Sequence, residues 1–172
     1  MRKSREFFIC QQGFAPNANP HLYSALMLQP RIIGGLVLLG SVLQSHELYL
    51  LLSAVLAWGT IVPTQNLFDA LYNRVVASPR GYPRLRAAPG PRRFAQGSAA
   101  TLSLAIGMAL VTGATMSAWV LEGVFVAAAT SAVVRRFCVP AHLYYLLGRT
   151  YHALRRRLSP TSVTSGSAPQ PC

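Results

Sequence analysis

Residues 94–134 read FAQGSAATLSLAIGMALVTGATMSAWVLEGVFVAAATSAVV, 41 positions in which Glu122 is the only charged side chain. Gly113-Ala114-Thr115 lies at the centre and leaves two apolar runs of close to 19 residues. One bilayer crossing by a helix takes ~20 residues, so the stretch predicts a transmembrane hairpin. Both runs are rich in small residues, as in Gly97-Ser98-Ala99-Ala100-Thr101 and Ala127-Ala128-Ala129-Thr130-Ser131, joined by Gly107 and Gly113. Small side chains let helix backbones approach closely, which is how helices associate where lipid supplies no hydrophobic drive.

Composition agrees. Charged residues make up 12% of the 172, about half the ~25% usual in soluble domains, and apolar residues reach 52%. Sixteen Lys and Arg stand against Glu6, Glu47, Asp69 and Glu122, a net charge of +12. Such a charge in a soluble chain points to nucleic acid. A nucleic-acid face needs basic residues interleaved with aromatics, whereas here they are confined to the segments between the apolar stretches. No nucleic-acid partner is expected.

Upstream, 31–63 form a first hairpin. From Ile32 to Val62 the only ionisable side chains of a water-facing kind are His46 and Glu47, beside Gln44 and Ser45 near the middle. The 31 residues are too many for one crossing and few for two, so the polar midpoint predicts two short spans and a tight turn, with one span plus a re-entrant segment as the alternative. The first helix should begin before Arg31, whose side chain can snorkel. Residues 1–30 carry Pro16, Pro20 and Pro30 and no clear period, and read as a lead-in with a short interfacial helix from His21 to Gln29.

The segment 64–93 is basic and Pro-rich. Asn66 to Asn73 can make two helical turns with Leu67, Phe68, Leu71 and Tyr72 on one side. Beyond them Pro79, Pro83, Pro89 and Pro91 predict an extended loop. After the second hairpin, 135–158 should be an interfacial amphipathic helix, with Leu143, Leu146, Leu147, Tyr151 and Leu154 opposite Arg149, Arg155 and Arg156. Residues 159–172 have the composition of a disordered tail. The expected fold class is therefore an all-α membrane protein of four transmembrane helices in two hairpins plus that C-terminal helix. Neither outer turn carries Lys or Arg, so both termini and the central loop are expected in the cytoplasm, at a bacterial plasma membrane. Pro30-Arg31 and Pro91-Arg92 open the two hairpins, and Trp58 and Trp119 lie in their second helices, which raises the idea of an internal repeat.

Few residues carry chemistry. Glu122 inside a span costs ~2.5–3.5 kcal/mol to insert at mid-helix and is a transport candidate with Gln44, or a structural acid paired with Gln44 or Thr115. Cys138 follows Arg135-Arg136 and has His142 four residues on, a pairing that suits a reactive thiolate or, more blandly, a half-buried small hydrophobe. Arg74, Arg80, Arg84, Arg86, Arg92, Arg93, Arg135 and Arg136 are expected on anionic lipid headgroups, each contributing ~1 kcal/mol near the surface. His46-Glu47 serves chiefly to hydrate the outer turn. There is no Gly-rich phosphate loop, nucleophile elbow, paired carboxylate or metal-ligand set, and the three cysteines are too scattered for a disulfide framework. Neither cofactor nor metal is expected.

Pro91-Arg92-Arg93-Phe94-Ala95-Gln96-Gly97, the small-residue hairpin, and Phe137-Cys138-Val139 with Tyr144 beyond resemble a family of small bacterial integral membrane proteins, domain of unknown function 4395. The resemblance runs from about Pro30 to Tyr145. It implies a multi-span fold and leaves activity open. The family's terminal motif is Cys-x-Gly-Cys, whereas this chain has Cys138-Val139-Pro140-Ala141. A dithiol–disulfide cycle within the motif is therefore lost, unless Cys10 supplies the second sulfur by folding back. Three functions remain: a membrane scaffold or accessory subunit contacting anionic lipid, itself or another membrane protein; a small oligomeric transporter using Glu122; and a thiol-based redox or sulfur-handling protein using Cys138.

Overall fold

The computed structural model describes residues 2–15 and 21–158, with side chains over 3–15 and 21–151; the tail at 159–172 and its Cys172 lie outside the described residues. Those residues form helices and no strand. They are α1 (Arg2–Gln11), α2 (Leu22–Leu43), α3 (His46–Ile61), α4 (Leu67–Tyr72), α5 (Ser78–Arg80), α6 (Gly90–Val111), α7 (Thr115–Val134) and α8 (Val139–Leu158).

Three helices, α2, α6 and α7, are long and apolar enough to cross a membrane. At ~1.5 Å per residue the 22 residues of α2 or α6 extend about 33 Å, enough for a ~30 Å hydrocarbon core. The 16 residues of α3 reach only about 24 Å. The four form a ring in which α2 packs on α3 and α7, and α6 on α3 and α7. At one end lie the two tight turns. At the other lie α1, the central segment and the start of α8.

The polar midpoint of the first hairpin does make the turn. Gln44 adopts a left-handed conformation at φ 47°, and Ser45 caps α3 by accepting from the Leu48 N–H at 3.2 Å. Gly113 at φ 72° turns the second hairpin, where a side chain would be strained. The ring closes on small residues. Ser53 Oγ donates to the Ala100 carbonyl at 2.9 Å, and a Cβ on Gly107 would meet Leu50 Cδ2 at 2.9 Å. The shared core is Ile33, Val37, Tyr49, Leu52, Leu56, Phe68, Ile106 and Phe125.

Several expectations change. The interfacial helix read at His21 to Gln29 is the beginning of α2, which runs through Pro30 unbroken. Proline removes one ladder donor, but Leu26 and Met27 are buried against Phe8 and Ile9 of α1, which holds the first turns on the same axis. The lead-in is itself partly helical and docked. In the central segment, helical turns continue past Tyr72 through a π-helical stretch, Asn73–Ala77, and α5, so only 82–89 is extended. Pro79 sits one residue into α5, directly after the π-helical stretch, and the helical run ends two residues later at Gly81. Within α4, Phe68 and Tyr72 are buried while Leu67 and Leu71 are exposed, so the four do not share a side. The repeat also lacks register: Trp58 lies near the end of α3 and Trp119 near the start of α7.

Candidate functional site

Beneath α1, at the end of the bundle away from the turns, a cavity of about 100 Å³ opens between α2, α6 and α7. Its body is apolar, with Ile33, Ala99, Phe125 and Ala129 on the walls. Its polar lining comes from four separate segments: Gln12, Gln29, Arg92 with Gln96, and Cys138.

Arg92 decides the electrostatics. It is the third residue of α6, only 3% exposed, and its Nη1 donates to Asp69 Oδ2 at 3.1 Å while Nη2 donates to Asp69 Oδ1 and, at 2.8 Å, to Gln29 Oε1. A bidentate carboxylate and a third acceptor satisfy most of its fork, which is what makes a buried guanidinium tolerable. Arg92, expected on headgroups, is instead buried in a side-chain network. Arg74, Arg80, Arg84, Arg86, Arg93 and Arg135 are exposed. Arg136 is half-buried, with its guanidinium 5.6 Å from the Tyr23 ring centre, on which Arg5 also lies at 5.2 Å.

One turn along α6, Gln96 Oε1 accepts from Asn66 Nδ2 at 3.1 Å. Its Nε2 is buried with no hydrogen-bond partner and presses against Gly59 of α3. An unpaired buried donor costs ~1–3 kcal/mol, and this one is packed against α3 rather than aimed into the cavity.

Cys138 stands at the cap position before α8. Its N–H donates to Gln11 Oε1 at 2.8 Å. Burial pushes the thiol above the ordinary range, partly offset by hydrogen bonds from the Ala141 backbone and the Gln12 side chain. A helix N-terminus and Arg135-Arg136 would favour thiolate. Desolvation outweighs them, because Arg135 points outward and Arg136 is engaged by Tyr23. His142 does not join the thiol: it is exposed, and its ring lies 5.3 Å from that of Phe137. Cys10 does not supply the second sulfur: it is itself disulfide-bonded while Cys138 is a free thiol, although α1 does fold back onto the Cys138 segment.

Glu122 belongs elsewhere. It is 2% exposed, near the turns, and both its oxygens accept from Gln44 Nε2, at 3.3 and 3.1 Å. Of its two expected partners, Gln44 is the one in contact. Among the described residues no cluster of His, Cys, Asp and Glu could hold a metal ion.

Sequence reasoning missed Gln12, Gln29, Asp69 and Gln96 as site residues. The signal was weak, a polar residue inside an apolar stretch and a lone acid in a basic loop.

The class defined by this fold and site is a small helical protein with membrane-length helices and one polar-ended cavity between them. The chain belongs to the family described as Domain of unknown function (DUF4395), whose model matches residues 27–149. No curated protein and no solved structure matched it. The matched span includes all of the ring except the first turn of α2, and every cavity residue except Phe8, Gln12 and Leu26.

Proposed function

We propose that this chain is a multi-span protein of a bacterial plasma membrane that handles a small, largely apolar thiol-reactive molecule in the cavity beneath α1, with Cys138 as the reacting group. The observation that carries this reading is convergence. Gln12, Gln29, Arg92, Gln96 and Cys138, spread over most of the chain, line one cavity. A scaffold needs no such interior, and burying a charge pair and amides at the end of a bundle is costly unless they are used. The volume admits a molecule of only a few heavy atoms, well below the ~300–1,000 Å³ of drug-sized pockets.

The chemistry is thiol exchange with a small disulfide. Cys138 sulfur attacks one sulfur of the disulfide, the S–S bond breaks, a mixed disulfide forms on Cys138, and its proton leaves with the departing thiol. A second thiol of the same class reverses the step. Arg92 is neutralised by Asp69, so it serves to orient a polar group rather than to lower the thiol pKa.

In this reading α3 spans the membrane as a short fourth crossing, and the end holding the cavity faces the cytoplasm. The charge distribution supports that orientation, since neither turn carries Lys or Arg. The apolar stripe of α8, with Leu143, Leu147 and Tyr151 exposed, rests on the cytoplasmic surface. The exposed loop arginines meet anionic headgroups beside it. The transporter alternative is weaker. Glu122 does not line the cavity, which ends against Ile33, Ala99 and Phe125.

The test is modification of Cys138 in sealed inside-out vesicles, read by peptide mass. A small methanethiosulfonate should label Cys138 and a bulky maleimide should not. A Cys138 inert to both would reject the thiol reading and return the scaffold to first place.

A further inference from the structure

A second concavity lies on the outside of the ring, where the end of α3 meets the start of α6. This groove of about 470 Å³ is lined by Thr60, Arg93, Phe94, Gly97, Ser98 and Thr101, with Gly90 at its edge. Arg93 is exposed, and its Nε and Nη2 both donate to the Thr60 carbonyl, at 3.1 and 2.9 Å. Thr60 is in the last turn of α3, where carbonyls lack helical partners and a cation is favoured. This double contact fixes the guanidinium plane and leaves Nη1 uncommitted at the groove.

The rest of the groove makes no polar demand. Ser98 and Thr101 hydroxyls donate back to the Phe94 and Gly97 carbonyls of their own helix. Gly97 provides the floor, since a Cβ there would come within 3.3 Å of Thr60 Cγ2. Following the same face of α6 away from Arg93, Thr101, Leu104 and Met108 are all exposed at helical spacing. A fixed cation at one end and an uncovered apolar track at the other describe an amphiphile with an anionic head.

We propose that this groove binds one anionic glycerophospholipid, its phosphate on Arg93 and an acyl chain along Thr101, Leu104 and Met108. The proposal rests on the bilayer placement above but not on the thiol chemistry. A second copy of the chain is the poorer occupant, because each copy carries a net charge of +12 and would bring like charge to Arg93.

The experiment is native mass spectrometry of the full chain from nonionic detergent, with phosphatidylglycerol and phosphatidylcholine of equal chain length added in parallel. Wild type should retain one phosphatidylglycerol in preference to phosphatidylcholine. Arg93→Gln should cut that retention about fivefold, the ~1 kcal/mol of one basic residue. Lys3→Gln, an exposed cation of α1 outside the groove, should leave it unchanged. Glutamine at 93 can still donate to Thr60, so the fold should hold. Thr101→Trp, at an exposed position, blocks the acyl track and should lower retention with Arg93 intact. Equal retention of the two lipids, equal loss in Lys3→Gln, no effect of Thr101→Trp, or displacement by millimolar inorganic phosphate would each overturn the site. Release of the protein from membranes by alkaline carbonate would instead remove the bilayer placement, and the lipid site with it.

Discussion

Arg92 and Asp69 form a buried, bidentate ion pair that ties the first turn of α6 to α4, with Gln29 of α2 as the third partner of the guanidinium. The segment between them is basic and largely exposed, so this contact fixes where the central segment lies on the bundle and holds one wall of the cavity in place.

Breaking one partner should cost more than removing both. Asp69→Asn leaves a buried cation without its counter-charge, and about 3–5 kcal/mol of stability should be lost. Arg92→Met in the same background removes the stranded charge and should recover part of that loss. Thermal unfolding in detergent of the two singles and the double gives the coupling. Strictly additive losses would mean that the pair is solvated rather than buried.

The thiol of Cys138 should react slowly at neutral pH and faster in alkali. Burial raises its pKa, so the thiolate that does the attacking appears only above the ordinary thiol range. The midpoint of a rate-against-pH curve for methanethiosulfonate labelling should therefore exceed that of the unfolded chain. Gln12→Ala removes one hydrogen bond to the sulfur and a lining residue of the cavity. It should push the midpoint higher still while widening access. A midpoint below the unfolded value would mean that the basic residues outweigh desolvation.

How much of this was legible in the sequence depends on separation along the chain. Turns at Gln44 and Gly113 were readable because polar or glycine residues interrupt uniform apolar runs. The Gln44 partner of Glu122 was among the two considered because few polar side chains exist at that end. Burial of Arg92 was not readable. Arg92 and Arg93 are neighbours of one type, and only the 100° step around α6 sends one inward to Asp69 and the other outward to Thr60. Docking of α1 was equally hidden, since Gln11 meets Cys138 across 127 positions.

Glu122 acts as a structural acceptor in this arrangement, and substitutions should separate that from a relay. Glu122→Gln keeps a carbonyl acceptor for Gln44 and should change stability by less than ~1 kcal/mol. Glu122→Leu leaves the Gln44 amide a single acceptor, the Ser41 carbonyl, and should cost ~1–3 kcal/mol. Equal behaviour of the two variants in detergent unfolding would sink the structural assignment.

Glycines of the ring should sort by what faces them. A methyl on Gly59 would collide with Gln96 Nε2 and crowd Asn66, whereas one on Gly123 meets nothing within 4 Å. Gly59→Ala should therefore destabilise by ~1–3 kcal/mol through overpacking. Gly123→Ala should be neutral or stabilising by up to ~1 kcal/mol, because alanine restricts the unfolded chain. Unfolding of the pair side by side tests whether α3 and α6 approach as closely as described.

The last prediction concerns Ala141, three residues after Cys138. Cys138 caps α8, and the backbone N–H of residue 141 bonds to its sulfur, so a side chain at 141 begins beside the thiol. Ala141 is fully buried, and cysteine adds one sulfur there, a change that cores usually absorb at ~1–3 kcal/mol. Ala141→Cys should form a disulfide with Cys138 under mild oxidant, losing two hydrogens and both alkylation sites, and regain them with reductant. Ala141→Ser should do neither while unfolding at a similar temperature. If Ala141→Cys folds yet both thiols stay alkylatable after oxidation, the two positions are not brought together at the α8 cap. In that event Cys138 could not be read as half of a redox pair with position 141, and it would have to act alone.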